Sequence, residues 1–366
     1  MTRILAVNGA FLGQAITGVQ RYARELTAAL GRVAGDRLRI VLLARRGDPL
    51  EASDPLAGAV EILRDTKHPP RQLWMQRGLP RLLRTLEKRE GPALLWSPSN
   101  VGPLSVARQV VTIHDASVFV GPEWFSLGFR LWYRFLLPRL ARRAALVVTH
   151  SEFSRGELAR LGIAPLEKTA VVPCGVSAQF GLSNVRPSAT HEGSFILSVG
   201  SLEPRKNLAV LLEAWRQLAP RIRGSHKLLI VGASAPAFAK ARLGTLPDGV
   251  TLLGAMNDDE LARLYATADA FVFPSLYEGF GLPPLEAMAS GAPVVASRAA
   301  SLPEVLGEAA AYFDPRSSED LVRALADVLE SASLRERLKS DGLARAAQFT
   351  WERAAEELFQ KLEKFW

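Results

Sequence analysis

The sequence predicts an α/β protein made of two parallel-sheet domains. Three observations carry this. Short apolar runs alternate with helix-period segments along the whole chain, the pattern of parallel strands joined by helical crossovers. The alternation stops in a polar stretch, residues 175–193, and then restarts. At 366 residues the chain has room for two domains of ordinary size.

In the first half, strands are expected at residues 3–7, 38–43, 93–96, 109–113, 145–149 and 169–172. After the first comes Gly9-Ala-Phe-Leu-Gly-Gln-Ala-Ile-Thr-Gly18, leading into a helix that begins near Val19. Glycines let backbone approach a ligand, and a helix N-terminus favours negative charge. The spacing is not the dinucleotide fingerprint, so a plain surface loop fits these residues too. Arg21 and Arg24 on that helix read equally well as solvated. His114 and Asp115 end the fourth strand; Asp115 reads as a cap for the loop that follows. Ser151, in His150-Ser-Glu-Phe-Ser154, reads as the N-cap of a helix from Glu152.

In the second half, strands are expected at residues 195–199, 227–231, 250–253, 270–273, 293–296 and 310–313, each followed by a helical pattern. Arg205 and Lys206 are expected to open the helix after the first of these. Cations at a helix N-terminus oppose its macrodipole, so the pair asks for an anion. After 270–273 comes Glu278-Gly-Phe-Gly-Leu-Pro-Pro-Leu-Glu286, a glycine turn running into a helix. A strand, a glycine turn and a helix start present backbone N–H groups to an anion. Two carboxylates accept hydrogen bonds and suit hydroxyls. A site that wants both phosphate and hydroxyls suits a nucleotide sugar.

This run resembles the E-x7-E motif of retaining glycosyltransferases of family 4, which have the GT-B fold. The upstream segment Val199-Gly-Ser-Leu-Glu-Pro-Arg-Lys-Asn207 is similar to the family's glycine-basic segment, except that many relatives carry an arginine where this chain has Ser201. The resemblance implies two Rossmann-like domains with parallel sheets facing across a cleft. The first, residues 1–180, lies on the acceptor side and the second, residues 190–348, binds the nucleotide sugar. A C-terminal helix, residues 349–366, crosses back to the first. It implies that Gly18, Arg205, Lys206, Gly281 and Leu282 hold the donor phosphates. Glu278, Gly279, Phe280 and Gly281 hold the sugar, and Glu286 takes the ribose hydroxyls. His114 lies near the reactive carbon, where a neutral imidazole can hydrogen-bond a hydroxyl. His114 and Glu278 are thus the expected catalytic residues. No Asp-x-Asp occurs in the chain, so no metal and no cofactor is expected, and basic groups take over the charge stabilisation.

The segment 114–126, with Pro122-Glu-Trp-Phe125, most resembles bacterial mannosyltransferases of polysaccharide assembly. GDP-mannose is therefore the expected donor, with UDP-glucose or UDP-galactose as alternatives. The expected acceptor is a glycan or a lipid-linked saccharide. A non-catalytic sugar-nucleotide sensor and a GT-B epimerase are the competing functions.

Composition sets the remaining limits. A net charge of +8 favours anionic partners, but no zinc-finger or RNP-like segment points to nucleic acid. The lone Cys174 cannot form an internal disulfide, and no apolar run of 18 residues or signal-like N-terminus is seen. A cytoplasmic protein is expected, with peripheral membrane contact as an option. Arg81, Arg84 and Lys88 fall on one face of a helix started by Pro80 and read either as solvated or as a stripe for anionic headgroups. Residues 124–143 hold six aromatics and five arginines with no acid, and suit the same surface.

Overall fold

The computed structural model describes residues 3–51, 54–67, 69–182, 193–234, 237–238 and 244–366. Most of the polar stretch read as the linker therefore lies outside the described residues. The chain divides into two compact units, one of residues 1–116, 131–175 and 350–366, the other of residues 117–130 and 176–349.

The first unit holds β1 (Arg3–Asn8), β2 (Leu38–Ala44), β3 (Glu61–Arg64), β4 (Ala93–Ser97), β5 (Gln109–Thr112), β6 (Leu146–Thr149) and β7 (Thr169–Val171). They form one parallel sheet in the order β3-β2-β1-β4-β5-β6-β7. The six expected strands are present. β3 was missed, because an edge strand of four half-exposed residues carries no apolar alternation. The second unit holds β8 (Ser194–Val199), β9 (His226–Val231), β10 (Val250–Gly254), β11 (Ala270–Phe273), β12 (Val294–Ser297) and β13 (Ala310–Phe313). Their order is β10-β9-β8-β11-β12-β13, again parallel throughout.

Strands buried on both faces read as continuous apolar runs, as β4 and β11 do. In the first unit Ile4, Ala6, Val41, Leu43 and Leu95 pack with Trp74, Leu79, Leu83 and Leu86. In the second, Ile196, Leu228, Ile230 and Val272 pack with Leu211, Leu212, Trp215, Leu321 and Leu325. The helix Trp351–Leu362 belongs to the first unit, where buried Trp351 meets Tyr22 of the helix Gly18–Ala34 with ring centroids 6.2 Å apart. Only glycine fits beside it at position 175: a Cβ there would sit 2.3 Å from the Trp351 amide nitrogen.

Residues 117–130 do not stay with the first half, where the sequence reading put them. They group with the second unit, because Phe125 bridges to Phe238, with rings 5.4 Å apart, and Ser126 N–H donates to the Ala237 carbonyl at 3.0 Å. Among the described residues no helix is long and apolar enough to cross a membrane.

Candidate functional site

An open parallel sheet binds ligands beyond the carboxyl ends of its strands, where the strand order reverses. In the second unit that point lies between β8 and β11. The loop leaving β8 carries Glu203, Arg205 and Lys206; the loop leaving β11 carries Glu278. Asn207, in the left-handed region at φ 55°, pins the first loop by donating to the Pro274 carbonyl at 3.1 Å and the Pro315 carbonyl at 2.8 Å.

Contrary to the expectation, Arg205 and Lys206 do not open the helix. They form a 3-10 turn, Pro204–Lys206, just ahead of the helix Leu208–Gln217. Carboxylates already answer their charge. Arg205 donates to Glu203 at 2.7 Å, to Glu278 at 2.9 Å and to the Tyr277 carbonyl at 2.7 Å. Lys206 Nζ donates to the other oxygen of Glu278 at 2.6 Å and lies 5.0 Å from the Phe273 ring centre. Arg205, Glu203 and Glu278 are all buried. Burial pushes the Glu278 carboxyl up, but Arg205 and Lys206 outweigh it and hold the group at about 2. The two cations and two anions of this cluster sum to zero charge.

Gly281 follows at φ 105°, a conformation for glycine, and a Cβ there would stand 2.7 Å from Leu302 Cδ2. It caps the helix Leu282–Ala289. Pro283 and Pro284 carry no N–H, so the helix start offers the Leu282 amide and little else. Buried Ser301 donates to the carbonyls of Glu278, at 2.9 Å, and Phe280, at 3.1 Å, which fixes the turn holding Gly279. One helical turn on, Glu286 is buried and accepts from the Tyr265 hydroxyl at 3.3 Å. A cavity of 720 Å³ opens beside this turn, lined among others by Trp124, Tyr277, Arg298, Tyr312 and Arg316. Of the residues singled out in the sequence only Trp124, from Pro122-Glu-Trp-Phe125, lines it; the expected donor-binding residues do not.

In the first unit Gly18 is the first residue of its helix, and Thr17 and Gln20 form a capping box. Arg24, read as solvated, is buried against Asp54 at 2.6 Å; helix periodicity could not show a partner thirty residues away. His114 follows β5. Its backbone N–H donates to Asn100 Oδ1 at 2.8 Å, its Nε2 lies 2.9 Å from the Pro98 carbonyl, and its Nδ1 lies 2.8 Å from His150 Nε2. Both ring nitrogens thus have partners. Burial lowers its pKa to about 4, against smaller opposing effects of the Pro98 carbonyl and Asp115. His150 was not singled out as functional, although it comes just past the strand next to β5. Ser151 is the N-cap, its Oγ accepting from the Ser154 N–H at 3.0 Å. Burial pushes the Cys174 thiol up, as an inert core cysteine requires.

Arg81 donates to buried Asp65 at 2.8 Å, which removes it from a free basic stripe; Arg84 and Lys88 are exposed. On the helix Leu127–Arg143, Leu131 and Phe135 are exposed at 59% and 45%. Among the described residues no group of three or more His, Cys, Asp or Glu side chains could hold a metal ion.

Two family models cover nearly the whole chain: Glycosyltransferase Family 4 matches residues 16–180 and glycosyl transferases group 1 matches residues 183–345. Over 296 residues the chain is 32% identical to O-antigen chain mannosyltransferase B of Escherichia coli, covering 78% of this chain and 75% of that relative. The chain belongs to the family 4 glycosyltransferases. It is also 33% identical over 286 residues to the MMP alpha-(1->4)-mannosyltransferase of Mycolicibacterium hassiacum, covering 72% of this chain and 68% of that one. The fold matches sucrose-phosphate synthase of Thermosynechococcus elongatus with a TM-score of 0.75 at 22% identity, covering 99% and 98% of the two chains. This glycosyltransferase has the GT-B fold its sequence predicts, with Glu278 and the basic turn meeting at the β8/β11 switch point.

Proposed function

We propose that this glycosyltransferase moves mannose from GDP-mannose, with retention and without a metal, to a glycan or a lipid-linked saccharide. The sugar is supported by the names of the two relatives, both mannosyltransferases. The observation that carries the chemistry is the buried contact of Arg205 and Lys206 with Glu278 at the β8/β11 switch point.

In this reading the diphosphate draws Lys206 and Arg205 from Glu278 onto its own oxygens, joined by the Leu282 and Gly18 amides. Glu278, released, accepts hydrogen bonds from sugar hydroxyls, with Gly279, Phe280 and Gly281 shaping the backbone around them. Glu286 accepts from the ribose. His114 hydrogen-bonds a sugar hydroxyl. The bond from C1 to the phosphate oxygen breaks, and the bond from C1 to the acceptor oxygen forms on the same face. The acceptor proton passes to the departing phosphate, so no side-chain base is needed. Arg205 and Lys206 stabilise the charge left on that phosphate, the work a metal does in other sites. Exposed Leu131, Phe135, Arg134 and Arg139 suit an acceptor presented at an anionic lipid surface.

The test is a thermal-shift panel of GDP, UDP and ADP, followed by product analysis with the nucleotide sugar of the best binder. A ligand that binds only the folded form raises its stability. Stabilisation by GDP and an α-mannoside product are expected. Stabilisation by UDP alone overturns the donor assignment.

A further inference from the structure

Parallel register pairs Thr112 of β5 with Val148 of β6, and two residues on, His114 stands beside His150. Four ring nitrogens lie in a row between two carbonyls. Pro98 O is 2.9 Å from His114 Nε2, His114 Nδ1 is 2.8 Å from His150 Nε2, and His150 Nδ1 is 3.1 Å from Val172 O. Three hydrogen bonds need three protons, and a carbonyl can only accept. Two neutral imidazoles bring two. If both outer nitrogens donated outward, the central pair would meet lone pair to lone pair. A neutral pair therefore keeps the central bond and one outer bond. The contact at Val172 is the longer of the two outer ones and is the one to give up.

We propose that His150 is a positioning residue for His114: it donates from Nε2 to His114 Nδ1 and so fixes His114 with its proton on Nε2. The inference rests on the reading of His114 as a contact to the donor sugar, and it deepens it. His114 then acts as a hydrogen-bond donor and not as a base. Its Nε2–H rests on the Pro98 carbonyl and transfers that bond to a sugar hydroxyl oxygen. A second partner that fixes the tautomer of a working imidazole is a familiar device at metal sites, and the same logic holds here. The surroundings favour a neutral pair. Burial lowers the pKa of both rings, for His150 with a further push from His114. Tyr22 packs its ring against both, at 5.0 and 4.5 Å between centroids, and burial pushes its phenol up. The Cys174 thiol is likewise pushed up and stays neutral. Asp115 is the anion whose charge favours protonation of His114.

The first measurement is nitrogen-15 NMR of the imidazoles of the full chain near neutral pH, assigned with His114→Gln and His150→Gln. The expected result is a bare Nδ1 and a protonated Nε2 on His114. A proton on Nδ1 of His114 overturns the proposal. The second is kinetics. His150→Phe keeps the shape and loses the donor, so kcat falls about tenfold, the worth of one hydrogen bond, with little change in donor KM. His150→Gln, whose amide can donate from the place of Nε2, restores much of that loss. If Gln is no better than Phe, or Phe has wild-type kcat while His114→Ala is impaired, the positioning role falls alone. Wild-type kinetics in His114→Ala removes the site reading beneath it.

Discussion

Lys206 Nζ and Glu278 Oε1 lie 2.6 Å apart, although 72 residues separate them in the chain. Together with Arg205 and Glu203 they form a cluster of two cations and two carboxylates. An anion entering this site competes with a carboxylate that is already bound.

That competition gives the first prediction. Glu278→Gln leaves Arg205 and Lys206 under-neutralised. GDP should then bind more tightly, by about tenfold for one charge-assisted contact no longer in competition. Turnover should nevertheless fall by about a hundredfold or more, because the sugar is no longer positioned. Calorimetry and steady-state kinetics measure the two effects. Weaker GDP binding with normal turnover would sink the assignment of Glu278.

The second concerns acid. The folded state holds Glu278 at about 2, below its ordinary value of 4.5. A depressed carboxyl stabilises the fold above its unfolded pKa and loses that contribution as pH falls through the folded one. The window is thus about pH 4.5 down to 2, and the contribution is roughly 3 kcal/mol. Chemical denaturation across this range should show a shallower acid limb in Glu278→Gln than in wild type. Identical limbs would mean that Glu278 is not held low.

The third separates the two acids. Glu286→Gln should raise the dissociation constant of GDP by about 10- to 100-fold through lost ribose contacts, with a smaller effect on kcat. Tyr265→Phe removes only the hydroxyl that orients Glu286 and should cost less. A pure kcat defect in Glu286→Gln would place that carboxylate at the sugar instead.

The fourth follows from the basic turn. If Arg205 and Lys206 stabilise the leaving diphosphate, activity should persist in excess EDTA, and Lys206→Ala should lower it with or without chelator. Loss of activity in EDTA that magnesium or manganese restores would reverse the metal-free reading.

The fifth concerns the surface. Flotation with anionic vesicles at low salt should be reduced by Leu131→Ser with Phe135→Ser, and by charge reversal at Arg84 and Lys88. Arg81 behaves differently. Arg81→Glu sets a second carboxylate against buried Asp65 and should lower the melting temperature instead. If neither pair of changes affects flotation, the lipid contact lies elsewhere or does not exist.

The sequence alone determined the alternation of strands and helices, twelve of the thirteen strands among the described residues, and the acid pair with its glycine turn. These are local properties. Periodicity shows which face of an element is buried, and a glycine at φ 105° or an N-cap such as Ser151 needs only its neighbours. Tertiary structure decided the partners. Helix spacing made Arg81 look like part of a stripe, but Asp65 claims it. The dipole argument asked for an anion beside Arg205 and Lys206, and the fold supplied Glu203 and Glu278. Residues 117–130 went to the second unit because Phe125 found Phe238, and His150 gained meaning only when β5 and β6 became neighbours. Which charges meet depends on strand order and register, and these are set by long-range packing that no local pattern records.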